Sequence, residues 1–293
     1  MTSANDYGLL LCTNGGPDGL PALDYGAWLA AELHLPVTLL GIVESPDEEP
    51  LVREALQTTQ AQLDAAHIPH TTRVRAGRAR RVICAEAVPQ QQLVVLGPMG
   101  RPPWRRWLRG SAFRRMMPDL PVPFIYTATA HRQLARILMC TGALDHAVSA
   151  ENCALELARR AGAALTILHV VEPPRYHYPT ADEVEAHWDN LLTTDTPQAR
   201  HLRALLDRAE ARSIETTLQV RHGPIMPEII AQARAEPYDL VVTGSKHSSS
   251  SLRRQYLPDV AAGVAETLRR PVLVVRAAQR CPLAEQGRAA ASF

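Results

Sequence analysis

Leu9-Leu10-Leu11-Cys12-Thr13 is an apolar run that stops on a polar residue and is followed by Asn14, Gly15 and Gly16. The phrase returns 128 residues later as Ile137-Leu138-Met139-Cys140-Thr141. A short segment that is apolar at every position and bounded by turn residues reads as a strand buried on both faces of a parallel sheet. Helical spacing of apolar residues follows each copy, over 23–33 and 150–161. Next come Val37-Thr38-Leu39-Leu40-Gly41-Ile42-Val43-Glu44 and Leu165-Thr166-Ile167-Leu168-His169-Val170-Val171-Glu172, again 128 apart. A third pair, 92–97 and 239–244, stands at an offset of 147, and a fourth, 121–126 and 269–274, at 148.

Four matching elements in one order predict a duplicated domain, with strands alternating with helices in right-handed crossovers. The jump in offset places an insertion of roughly 18 residues in the second copy, including Pro173 to Pro197. Because it follows the second strand, it begins at the carboxyl edge of the sheet, where open α/β folds bind ligands. The expected organisation is a first domain over 1–130, a second over 131–279 with the insertion near 173–197, and a frayed tail over 280–293.

A chain of 293 residues, 46% hydrophobic and 21% charged, can support two full cores. A formal net charge of +1 supplies no global field for nucleic acid or acidic membranes, so neither is expected as a partner. Thirty of the 31 basic residues are Arg, a bias that carries no functional weight by itself. The first six residues lack a basic and apolar leader, and no apolar run approaches a membrane span, so a cytoplasmic protein is expected. Five cysteines without CxxC spacing fit reduced, mostly buried thiols.

The most specific local feature is Gly97-Pro98-Met99-Gly100, then nine residues, then Gly110-Ser111. It begins where a buried strand ends, so backbone amides here can face a ligand at the carboxyl edge. Glycines permit close approach and positive φ. Oriented amides and a following helix N-terminus favour phosphate. Arg101, Arg105, Arg106, Arg109, Arg114 and Arg115 lie within or just beyond the loop, and no acidic residue occurs from Gly97 through Met117. The guanidinium fork suits phosphate oxygens. A bland alternative stands beside this reading: a turn and helix cap kept for folding, flanked by a solvated arginine face.

A strand ending in G-x-x-G, nine residues, then G-S resembles the ATP-binding loop of the universal stress protein family. The second strand ending in Val-Glu (Val43-Glu44 and Val170-Val171-Glu172), Gly77 and Gly223 after the third, and the closing strand, Pro-Val-x-Val at Pro271 to Val274 and Pro-Val-Pro-Phe at Pro121 to Phe124, fit as well, over about 7–129 and 133–278. The resemblance implies two flavodoxin-like, adenine-nucleotide-hydrolase-like doubly wound α/β domains. Each would have a five-stranded parallel sheet, and the two would pack as an internal pseudo-dimer with the closing strands meeting at the interface. It implies ATP or a related adenine nucleotide, with or without Mg, in the first domain. Thr13, Asn14, Ile42 and Val43 would flank the adenosine, and Gly97, Gly100, Arg101, Gly110 and Ser111 the phosphates.

Two departures qualify that transfer. Family members that bind ATP usually carry Asp at the end of the first strand, where this chain has Thr13 and Thr141. In the second copy His247 replaces the second glycine, and Pro258-Asp259 replaces Gly-Ser. Proline has no amide to donate and a carboxylate repels phosphate, so the second site reads as degenerate. His169 reads as a satisfied core histidine. Tyr176, His177, Tyr178, His187 and Trp188 match no standard metal spacing and read as a surface helix or lid. No acid–base or nucleophile constellation stands out, so the expectation is a regulatory, stress-response binding protein rather than an enzyme, with at most slow incidental ATP hydrolysis. It would be a monomer with an internal pseudo-dimer, or a homodimer. Its rival is a non-nucleotide scaffold acting through protein contacts or an apolar ligand.

Overall fold

The computed structural model describes residues 8–87, 92–99, 117–172, 188–245, 260–277 and 279–283. The first half runs β1 (Gly8–Thr13), α1 (Leu20–Leu33), β2 (Val37–Val43), α2 (Glu49–Ala65), β3 (His70–Ala76), α3 (Ala79–Glu86), β4 (Gln92–Leu96) and β5 (Phe124–Tyr126). The second runs β6 (Arg136–Thr141), α4 (Val148–Ala161), β7 (Ala164–Val171), α5 (Pro197–Glu210), β8 (Thr216–His222), α6 (Ile225–Ala235), β9 (Leu240–Ser245), α7 (Val260–Thr267) and β10 (Val272–Arg276).

The ten strands form one sheet in the order β3-β2-β1-β4-β5-β10-β9-β6-β7-β8. This corrects the expectation of two separate five-stranded sheets. All strand pairs are parallel except β5 with β10, which pair antiparallel through Phe124↔Val274, Ile125↔Leu273 and Tyr126↔Val272. The physical reason lies in the edges. Each closing strand would otherwise leave a row of unpaired backbone groups beside an apolar surface, and pairing them with each other removes both edges at once. The meeting of the closing strands, which the family resemblance implied, is therefore a ladder that makes the sheet continuous.

Strand registers reproduce the sequence offsets. Leu9 pairs with Val37 and Ile137 with Leu165, both 128 apart. Leu93 beside Leu9 corresponds to Leu240 beside Ile137, an offset of 147. Phe124 beside Val94 corresponds to Val272 beside Val241, an offset of 148. The connection between the second strand and its helix holds five residues (44–48) in the first half and 25 (172–196) in the second. That places the extra length where the offset jump required it.

Alternation along the strands feeds two cores. Leu9, Leu11, Ile137 and Met139 face a cluster shared with α1, α2, α4 and α5. Leu10, Cys12, Leu138 and Cys140 face a second cluster with α3, α6 and α7. Period-two side chains with both faces covered are what makes each strand read as uniformly apolar. Each such leucine contributes about 1.5–3 kcal/mol on full burial.

The tail expectation also needs correction. Cys281 and Leu283 are buried in the α4 cluster, and the Leu283 carbonyl accepts from Arg160. Two apolar side chains and one charge-assisted hydrogen bond hold 281–283 against the fold, so fraying does not begin at 280.

Candidate functional site

In the order β3-β2-β1-β4-β5, chain direction reverses its progression at β1, which lies between β2 and β4. The crevice beyond the carboxyl ends of β1 and β4 is thus a topological switch point, the usual ligand site of open α/β sheets. In the second half the same place lies beyond β6 and β9.

On the first-half crevice, Thr13 ends β1 with only 1% of its surface exposed, and its Oγ1 accepts from the Gly15 amide at 3.0 Å. Half-buried Asn14 accepts from the Gly16 amide through Oδ1 at 3.2 Å. Gly15 has φ of +74°, and a Cβ there would lie 2.6 Å from the backbone of Leu51 and Val52. Only glycine fits such a turn pressed onto α2. Gly97, just past β4, has no positive φ; a Cβ there would stand 3.0 Å from the Ala22 Cβ and the Gly19 Cα. Its absence lets the start of α1 settle beside the end of β4, which aims that helix N-terminus at the crevice.

Ile42 and Val43 are buried at the end of β2, in opposite cores. The Val43 carbonyl accepts from the Gly77 amide at 2.9 Å, and the Glu44 carboxylate accepts from the Ala79 amide at the start of α3 at 2.9 Å. Thr13, Asn14 and Gly97 therefore meet at the switch point, while Ile42 and Val43 support it from below. Gly100, Arg101, Gly110 and Ser111 lie outside the described residues, as do His247, Pro258 and Asp259 of the second copy.

The second half keeps the backbone and changes the chemistry. Thr141 Oγ1 accepts from the Ala143 amide at 3.0 Å, and Ala143, the counterpart of Gly15, holds φ of 51°. The Thr141 hydroxyl also donates to Glu151 Oε1 at 2.7 Å. Glu151 sits on α4 with none of its side chain exposed. His201 Nε2 reaches the same Oε1 at 2.8 Å, and an Arg208 guanidinium nitrogen reaches Oε2 at 3.1 Å, both from α5. A carboxylate removed from water requires such partners. His169 donates from Nδ1 to the Thr141 carbonyl at 3.0 Å, because a carbonyl can only accept. Burial holds the His169 imidazole below its ordinary value, outweighing that hydrogen bond, and the nearby His201 and His222 push the same way.

His169 is thus the satisfied core histidine that its strand position implied. The Glu151–His201–Arg208 cluster escaped the sequence reading. One signal was present: at an offset of 128, Glu151 occupies the slot of Leu23, a buried core residue. His201 and Arg208 gave none, since histidine and arginine on an amphipathic helix read as its wet face.

Against known proteins, residues 134–276 match the model of the Universal stress protein family. No curated protein matches the chain. Among solved structures, a universal stress protein from Archaeoglobus fulgidus DSM 4304 superposes with a TM-score of 0.67 at 18% identity, covering 93% of this chain and 98% of that one. A functionally unknown protein from Pseudomonas aeruginosa PAO1 gives a TM-score of 0.64 at 16% identity, covering 100% of both chains. At these identities the likeness is one of fold, and it extends over both halves of the sheet. No helix among the described residues is long and apolar enough to cross a membrane. The second half of the chain, residues 134–276, carries a universal stress protein domain.

Proposed function

We propose that the chain is a tandem of two universal stress protein domains, 1–130 and 131–279, packed as an internal pseudo-dimer. Its role is that of a cytoplasmic stress-response or regulatory protein, a binder rather than an enzyme. It takes ATP or a related adenine nucleotide, with Mg, in the first domain. The observation that carries this reading is the first-half switch point. Asn14 at the end of β1 and Gly97 at the end of β4 flank a crevice onto which the N-terminus of α1 is directed. The glycine-arginine stretch 97–111 continues from that same point. At the equivalent place in the second half, the Thr141 hydroxyl is engaged by Glu151.

Calorimetric titration of ATP–Mg into the full chain tests this. The expected result is about one nucleotide per chain, abolished in Gly110→Asp/Ser111→Ala, where a carboxylate enters the phosphate loop. Two equivalent sites would refute the asymmetry, and no heat at millimolar ATP would refute nucleotide binding. The scaffold reading is favoured by one observation: Thr13 and Ile42 expose almost none of their surface. Adenine absorbance released on denaturing the purified protein separates the two readings.

A further inference from the structure

At the opposite, amino edge of the second half, a cavity of about 450 Å³ opens among His131, Arg136, Asp239, Arg269 and Arg270. A neighbouring cavity of about 310 Å³ shares Arg269 and Arg270 with it and adds Arg234. The two adjoin through these shared residues, and four arginines and a histidine are among the residues that line the groove they make. Whether that makes a site depends on how many of those charges are already answered.

Two carboxylates stand nearby, and both are occupied. Asp239 is buried, and its Oδ2 accepts from the Ala135 and Arg136 amides at 2.8 and 2.9 Å. Its Oδ1 accepts from His131 Nε2 at 2.7 Å, so it orients the imidazole. Glu236 pairs with Arg136, whose guanidinium also lies 5.5 Å from the Tyr238 ring centre. Arg270 donates to the Tyr238 carbonyl, a neutral partner that fixes its position without cancelling its charge. Arg234 and Arg269 are exposed and pair with no carboxylate among the described residues. Three uncompensated guanidinium groups therefore converge on one concavity.

Among the described residues the first half has no counterpart. The positions equivalent to Arg136, Asp239, Arg269 and Arg270 hold Gly8, Gln92, Pro121 and Val122. The groove is a feature of the second half alone, and it lies a full strand length from the switch points.

We infer that this groove is a binding site for a small polyanion carrying two or more phosphoryl groups. Planar guanidinium forks bind phosphoryl oxygens in pairs. The two cavities lie in the size range of small-molecule sites, about 300–1,000 Å³. A concavity where Arg270 and Arg136 are held by the Tyr238 carbonyl and Glu236, beside the exposed Arg234 and Arg269, suits a compact ligand better than an extended nucleic-acid backbone. The oriented imidazole of His131 adds a further polar group to the wall.

Pyrophosphate is the probe. Titrated into the full chain carrying Gly110→Asp/Ser111→Ala, which closes the proposed nucleotide loop to phosphate, it is expected to bind once per chain, and more tightly than orthophosphate, which carries a single phosphoryl group. Arg269→Gln should weaken it at least tenfold and Arg234→Gln/Arg269→Gln further. Both side chains are exposed, so the fold should keep its circular dichroism and thermal midpoint. Binding that survives in that background separates this site from the proposed nucleotide crevice. The inference is overturned if the Gly110→Asp/Ser111→Ala chain shows no binding at millimolar pyrophosphate, or if adding Arg234→Gln/Arg269→Gln leaves its binding unchanged.

Discussion

Thr13 and Thr141 end equivalent strands and accept hydrogen bonds from the amides of Gly15 and Ala143, both with left-handed backbones. Beyond that shared turn the halves part. On α1 the next position in register is Leu23, packed in the core; on α4 it is Glu151, bonded to Thr141, His201 and Arg208. Gly41 on β2 faces α2 so closely that a Cβ would lie 2.6 Å from the Val52 side chain, whereas β7 carries His169 there. The comparison teaches that the two halves share a backbone, while the space between the sheet and the second helix is apolar in the first and ionic in the second. The ionic version ties down the hydroxyl at the end of β6.

The largest effect that could break this comparison comes from removing the hub of the ionic version. Glu151→Leu installs the first-half residue but strands His201 and Arg208, so it should cost about 3–5 kcal/mol in denaturant unfolding. Glu151→Leu/His201→Ala/Arg208→Gln installs the first-half counterparts Leu23, Ala55 and Gln62, the last two by the register that matches Thr216 beside Leu165 with His70 beside Val37. It should regain part of the loss, because no charge is then left without its partner, while the smaller side chains leave some space unfilled. A triple variant as unstable as the single would show that the cluster does not act as a unit.

A smaller effect sharpens the contrast at the ends of β4 and β9. Gly97→Ala presses a methyl against Ala22 and Gly19 at 3.0 Å and should cost about 1–3 kcal/mol. Gly244→Ala, its counterpart, meets nothing nearer than the Ala150 Cβ at 3.7 Å and should leave stability unchanged or slightly raised. Equal costs at the two positions would mean that the start of α1 is not seated closer to the sheet than that of α4.

Much of the architecture was legible because it is written in local pattern. The runs at 9–13 and 137–141 and the offsets of 128, 147 and 148 reappear as strand registers. The single sheet was not legible as such, since three-residue β5 carries no signal of which strand will cover its edge. The docked 281–283 segment was missed because two apolar residues in a polar tail form no period. At the candidate site, the glycines at 15 and 97 are explained by close approach, Gly15 by its positive φ as well. The ion cluster joins residues 50 to 57 positions apart, which no spacing rule connects. The amino-edge groove draws Arg136, Asp239 and Arg269 from the starts of three strands, and their convergence exists only once the sheet has formed.

The smallest effect concerns acid. His169 is buried against Thr141 and has its folded value held below its ordinary 6.5, chiefly by loss of hydration. On acidification the unfolded chain therefore binds the proton first. The stability tied to neutral His169 is intact above 6.5 and is lost as pH falls from there through the lower folded value. Gly41 leaves the first half with no such group at the equivalent place. His169→Asn retains a side-chain N–H for the Thr141 carbonyl and removes the titration, so its unfolding midpoint should fall less than that of wild type between pH 7 and pH 5. His201→Gln should flatten the profile less, because the charge of His201 contributes after desolvation. Parallel midpoint curves for wild type and His169→Asn would assign the acid sensitivity to groups elsewhere and leave His169 a neutral packing residue across the whole range.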